Sequence, residues 1–146
     1  MPPSQSGPGR QQARRSPERA APIVLIVDDT ADVRDLYREY LTARGCRVAT
    51  APDGESGIAA ALRYRPDVIV MDLAMPWVDG ITATRRLKAD ARTRAVPVIL
   101  LTGHAYRAID QGALEAGVSV FLTKPCLPED LEAAIRRMRN DASAAA

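Results

Sequence analysis

Three aspartates, one threonine and one lysine carry the chemistry that this sequence offers. Asp28 and Asp29 follow the apolar run Ile23–Val27, and Asp72 follows Val68–Met71. Thr102 follows Pro97–Leu101, and Lys124 stands just past Ser119–Leu122. Taken singly, each has a plain explanation as a turn residue, a helix cap or a solvated loop lysine. Asp72 fits such an explanation least, because a lone carboxylate ending a buried run carries a desolvation penalty. Taken together, the set describes a site for phosphoryl oxygens. Clustered carboxylates repel one another and raise a pKa unless a hard cation neutralises them. A divalent ion with oxygen ligands, Mg²⁺ first, is the natural answer. A cation beside a carboxylate, with a lysine and a hydroxyl, catalyses by positioning and by neutralising charge on a transferring group. The attacking carboxylate would then be a covalent acceptor.

Such a site needs elements that bring these residues to one edge. Short runs rich in β-branched residues alternate with helix-period segments from Ile23 onward. After the first run, Val33, Leu36, Tyr37, Tyr40 and Leu41 make one helical stripe, closed by Gly45. Cys46–Thr50 reads as the second strand. Asp53 caps a helix with inner face Ile58, Ala61 and Leu62, and Pro66 ends it. Val68–Met71 is the third strand, and a helix runs from about Ile81 to Ala89. Pro97–Leu101 is the fourth strand, its proline tolerated at the start. A fourth helix covers about Ala105 to Ala116, ended by Gly117, and Ser119–Leu122 is the fifth strand. Pro128 opens the fifth helix at N1, with Glu129 and Asp130 in its first turn. Its inner face is Leu131, Ala134, Ile135 and Met138, and it ends near Asn140.

Continuous apolar strands alternating with helices predict an α/β fold, a doubly wound five-stranded parallel sheet with helices on both faces. In such sheets function sits at the carboxyl ends of the strands. Every candidate residue above lies there.

Composition narrows the setting. At 146 residues the chain suits one domain with a tail. No stretch approaches the roughly 20 apolar residues of a membrane span, and no apolar leader opens the chain, so neither membrane insertion nor a secretory signal is expected. Cys46 and Cys126 cannot make a disulfide framework, and the single histidine, His104, excludes a multi-histidine metal site. A reduced, cytoplasmic setting is expected. Five of the eleven prolines fall in residues 1–22, among Ser, Gln, Gly and Arg, with no apolar period. That segment reads as a disordered tail, residues 23–140 as the domain, and residues 141–146 as a frayed terminus. Arg10, Arg14, Arg15 and Arg19 against Glu18 give the tail a net charge of +3, and 16 basic against 17 acidic side chains leave the remainder at −1. Nucleic-acid binding is therefore expected only through the tail, if at all.

The ordered motifs carry a resemblance. Val27-Asp28-Asp29, then Met71-Asp72-Leu73-Ala74-Met75-Pro76 with Asp79-Gly80, then Leu101-Thr102-Gly103, then Phe121-Leu122-Thr123-Lys124-Pro125 resemble a response-regulator receiver domain, the phosphorylatable module of two-component signalling, in stand-alone chemotaxis-type form. The resemblance covers about residues 23–140. It implies a flavodoxin-like strand order 2-1-3-4-5 and Asp72 as phosphoacceptor. It implies Mg²⁺, for which Mn²⁺ can substitute, held by Asp28, Asp29, Asp72 and the backbone carbonyl of Ala74. Thr102 and Lys124 would contact the phosphoryl group, Thr102 and Phe121 would move on activation, and the Lys124–Pro125 bond would be cis. Ala74 and His104 would flank the hydrolytic water and tune its rate. The donor would be a sensor histidine kinase or a histidine phosphotransfer protein. Output would be to a protein target, or a homodimer, through the face of the fourth helix, fifth strand and fifth helix, with no output domain fused after the last helix. Trp77 reads as a half-exposed loop aromatic, and Cys126 as a small buried hydrophobe.

Three rival readings follow from the same residues. A Mg²⁺-dependent phosphatase with an aspartate nucleophile would show Asp-x-Asp at the first strand, where this chain has adjacent aspartates. A receiver fold kept only for phosphorylation-independent binding would not need the full acidic set. A nucleic-acid binder would use the tail.

Overall fold

The β-branched runs predicted as strands do form one parallel sheet. The computed structural model describes residues 20–145, so the expected disordered tail lies outside the described residues except for Ala20–Pro22. The strands are β1 (Ile23–Val27), β2 (Arg47–Ala51), β3 (Val68–Asp72), β4 (Val98–Thr102) and β5 (Val120–Thr123). Their order is β2-β1-β3-β4-β5, with every pairing parallel. The helices are α1 (Ala31–Ala43), α2 (Gly54–Tyr64), α3 (Gly80–Ala89), α4 (Ala105–Asp110), α5 (Ala113–Ala116) and α6 (Pro128–Ala145).

Successive side chains of a strand point to opposite faces, so an unbroken apolar strand feeds two cores. Leu25, Val27, Ile69, Met71 and Leu100 pack toward Ala61 of α2, Ile81 and Leu87 of α3, and Ala113 of α5. Val24, Ile26, Val70, Ile99 and Leu101 pack toward Tyr37 and Leu41 of α1 and Leu131 and Ile135 of α6. The tetrad of central strand residues Leu25, Ile69, Ile99 and Leu100 is completely buried. This two-sided burial rigidly fixes the strand ends on which the polar residues stand.

Local signals place most boundaries. Gly45, at φ 96°, ends α1. The Gly45 N–H donates to the Thr42 carbonyl at 3.1 Å and the Cys46 N–H to the Leu41 carbonyl at 3.0 Å, the paired bonds of a Schellman stop. Cys46 thus belongs to the helix end, and β2 starts one residue later than predicted. Asp53 caps α2 by accepting from the Ser56 N–H at 2.8 Å. β4 and β5 likewise start and end one residue late, and β3 runs one residue past Met71, because Asp72 and Thr102 stay in the ladder opposite Leu101 and Thr123.

Five expectations are corrected. Leu36 is half exposed, since Tyr37 and Leu41, one turn apart, occupy the face turned to the sheet. The predicted fourth helix is two pieces, α4 and α5, broken at Gly112, whose φ of 90° no right-handed helix admits. The last helix does not stop near Asn140 but continues to Ala145, because the alanines that follow are the strongest helix formers and nothing there breaks the helix. Trp77 is 91% exposed rather than half-exposed. It centres a γ-turn with φ 66°, in which the Val78 N–H donates to the Pro76 carbonyl at 2.8 Å. Cys126 is only partly buried.

Candidate functional site

The topological switch falls between β1 and β3, which leave the sheet's carboxyl edge side by side. Asp28 comes directly off β1, Asp72 ends β3, Thr102 ends β4, and Lys124 follows β5. Asp28, Asp72 and Thr102 are all less than 5% exposed, whereas Asp29 faces solvent. One carboxylate oxygen from each of Asp28, Asp29 and Asp72 lies within 4.8 Å of the others.

Lys124 closes this acidic group. Its Nζ lies 2.9 Å from Asp72 Oδ1 and 3.3 Å from Asp28 Oδ2. Burial alone would lower the lysine pKa, but hydrogen bonding and charge from Asp72, then Asp28, outweigh it and hold the ammonium above its usual value. Burial also acts on Asp72, pushing its carboxyl above the ordinary aspartate value. The hydrogen bond from Lys124 opposes that, and the nearby charges of Asp28 and Asp29 add to it. An ionised Asp72 is thus underneutralised by one lysine. Three hard carboxylate oxygens with one ammonium among them fit a small divalent cation in donor type and charge.

The backbone around each group is tied down. The Thr30 N–H donates to Asp28 Oδ1 at 2.9 Å, and Arg34 donates to the Asp28 carbonyl at 2.8 Å. The Leu73 N–H reaches the Leu101 carbonyl at 2.9 Å, and Gly80 N–H reaches the Leu73 carbonyl at 2.9 Å, which folds the β3–α3 loop back on itself. Asp79 caps α3 by accepting from the Thr82 N–H at 2.7 Å. Thr102 Oγ1 accepts from the His104 N–H at 3.0 Å, leaving its own hydroxyl proton to donate elsewhere. The Lys124 N–H donates to the Thr102 carbonyl at 2.9 Å, and the Lys124–Pro125 bond is cis as expected.

A cleft of about 440 Å³ opens over these groups, lined by Asp72, Ala74, Thr102, His104, Arg107 and Lys124 among others. His104 sits at the start of α4 and makes no side-chain cap. Phe121 is half-buried and packs against the core on the side of the sheet that carries Leu100, Ala108 and Ala113. Every residue expected at the site except Phe121 therefore lies at this edge, and Phe121 lies behind it on β5. Sequence reasoning missed Arg34, Arg107 and the hydroxyl of Tyr37. Arg34 and Arg107 read as ordinary solvated helix charges, and Tyr37 as one more apolar position of the α1 stripe.

Comparison with known proteins agrees with this geometry. The family profile of the response regulator receiver domain matches residues 24–136. The chain is 37% identical over 108 residues to Protein PilH of Pseudomonas aeruginosa, covering 74% of this chain and 89% of PilH. It is 47% identical over 103 residues to Response regulator PleD of Caulobacter vibrioides, covering 70% of this chain but only 22% of PleD's length. The receiver domain of a sensor histidine kinase from Pseudomonas aeruginosa PAO1, solved with a magnesium ion coordinated in its active-site cleft, superposes with a TM-score of 0.75 at 32% identity, covering 83% of this chain and 99% of that one. The carboxylates at the switch point, the lysine that closes them and these matches make the chain a member of the response regulator receiver domain family of two-component signalling.

Proposed function

We propose that this receiver is a phosphorylation-dependent switch in which Asp72 accepts a phosphoryl group from the phosphohistidine of a sensor histidine kinase or histidine phosphotransfer protein. The observation that carries the reading is Lys124, whose ammonium bridges buried Asp72 and Asp28 inside a group of three convergent carboxylates. In the forward step a carboxylate oxygen of Asp72 attacks phosphorus. The O–P bond forms, the P–N bond to the donor imidazole breaks, and the imidazole nitrogen keeps the bonding pair. In the reverse half, water attacks phosphorus and releases inorganic phosphate, and Asp72 returns as the carboxylate.

Asp28, Asp29, Asp72 and the Ala74 carbonyl would hold Mg²⁺ or Mn²⁺. The ion supplies charge neutralisation on the phosphoryl oxygens. Lys124 exchanges its bond to Asp72 for one to a phosphoryl oxygen, and Thr102 donates its free hydroxyl proton to another. That draws the β4–α4 segment inward, and Phe121 moves into the space beneath it. His104 and Ala74 flank the path of the hydrolytic water and set the lifetime. The changed surface is that of α4, α5, β5 and α6, which meets a protein target or a second copy of the chain. The phosphohistidine donor puts this exchange in the cytoplasm, and no helix among the described residues is long and apolar enough to cross a membrane.

The test is incubation with phosphoramidate or acetyl phosphate, with Mg²⁺ or with a chelator. Wild type is expected to take up acid-stable, hydroxylamine-labile phosphate only with the ion, and Asp72→Asn to take up none. Equal labelling of Asp72→Asn, or sustained turnover of a generic phosphomonoester, overturns the reading.

A further inference from the structure

Lys124 must keep its ammonium between two carboxylates, yet it stands in a loop rather than in a strand. On its N-terminal side the backbone is pinned by the ladder bond from the Lys124 N–H to Thr102. On its C-terminal side Pro125 has no N–H to give, so the turn lacks that donor. A donor arrives from elsewhere in the chain. The Tyr37 hydroxyl, on α1, donates to the Cys126 carbonyl at 2.7 Å across 89 residues of sequence. Tyr37 is only 4% exposed, and its ring is packed in the core shared by α1 and α6. A rigid two-torsion side chain anchored in that core is a fixed post rather than a passing surface contact.

We infer that Tyr37 is a positioning residue for Lys124, holding the Lys124-Pro125-Cys126 turn from α1 so that the ammonium stays on Asp72. The burial of the phenol and the charges around it raise its pKa to about 12, so the donating proton stays in place at any ordinary pH. The inference rests on the acceptor role proposed for Asp72. It adds a direct mechanical tie between the helix that follows Asp28-Asp29 and the lysine across the site. Groups that orient a reacting side chain from behind commonly cost tenfold or more when removed.

The test is Tyr37→Phe, which removes one oxygen and keeps the ring in the core. Two quantities are read on the full chain: the rate of Mg²⁺-dependent labelling by phosphoramidate, and the Mg²⁺ Kd by calorimetry. Labelling is expected to slow by roughly tenfold, while the Mg²⁺ Kd stays within about twofold, because the ion's carboxylates are held by Thr30 and the strand ends rather than by this bond. A labelling rate equal to wild type overturns the inference. So does a Mg²⁺ Kd that weakens by the same factor, since that marks general loosening of α1. Tyr37→Met, which also lacks the donor, replaces the Phe variant if a melt shows that variant unfolded, and it is held to the same split. Failure of the acceptor reading looks different: wild type itself takes no label, or Asp72→Asn labels as wild type does.

Discussion

Asp72 is placed where its charge is costly until a cation arrives. Its carboxyl is pushed above the ordinary value by burial, with Lys124 opposing and Asp28 reinforcing. The sign follows from linkage. A carboxyl whose folded pKa lies above its unfolded value is better tolerated protonated, so the site favours folding at acid pH and loses that contribution as pH rises through the folded pKa. At neutral pH the ionised group therefore opposes folding, and a neutral isostere relieves it. Asp72→Asn is expected to raise the melting temperature by a few degrees in chelator. Added Mg²⁺ should stabilise wild type and narrow or reverse the difference. Scanning calorimetry of both proteins in both conditions checks this, and a variant that melts lower than wild type in chelator contradicts it. These residues were legible as types and spacings because each ends an apolar strand. Their partners were not, because a bond such as Lys124 to Asp28 spans 96 positions and leaves no local pattern.

Between elements, the site depends on how closely backbones approach. Gly80 opens α3 directly behind the end of β3. A Cβ built there would strike the carbonyl oxygen of Asp72 and stand 2.9 Å from both Leu100 Cδ1 and Leu73 Cα. Gly80→Ala should cost roughly 1–3 kcal/mol, the scale of overpacking against a fixed core, and should slow labelling of Asp72 because the strand end must move. Urea unfolding combined with the labelling assay tests it, and a variant with wild-type stability would show that the approach is looser than described. The tie between α1 and the β5–α6 turn has its own signature at high pH. Tyr37 titrates at about 12 in the folded protein and near 10 when unfolded. Its contribution to stability is full below about pH 10 and is lost as pH rises toward 12. Over that window wild type should lose on the order of 2 kcal/mol more than Tyr37→Phe. Equal losses in the two proteins would show that the hydroxyl is not buried in this bond.

The element boundaries show why a sequence reads well in some places and poorly in others. Gly45 and Pro128 act through their own backbone and Asp53 through a side chain that reaches only three residues on, and the stops and starts they predict are present. The break at Gly112 was hidden, because a glycine inside a weak helical pattern reads the same whether it adopts a left-handed φ or not. The buried set of α1 was overread at Leu36, since a 3.6-residue period gives the stripe but not its width.

Across the whole molecule, the chemistry is concentrated at one edge and the charge is not. The residues after the tail carry a net charge of −1, so the buried Asp28 and Asp72 are a local accumulation on a near-neutral body. The fold class and the site edge are legible in the sequence, because alternating apolar strands and helices leave few topologies and those topologies place function at the strand ends; the strand order is legible only through the resemblance to receiver domains. Which part of the surface meets a partner is not legible, because exposed side chains such as Tyr106 and Leu114 on α4 and α5 follow no fixed pattern.

One measurement bears most directly on the account. The protein is labelled with phosphoramidate and Mg²⁺, and the acyl phosphate is reduced with borohydride: one hydride adds to the carbonyl carbon and expels phosphate to give the aldehyde, and a second hydride, with a proton from water, reduces the aldehyde to homoserine. Peptide mass spectrometry then reads the position. The account predicts homoserine at residue 72 and nowhere else. Homoserine at residue 28 or 29, or none at all in a fully folded, Mg²⁺-loaded protein, would contradict it.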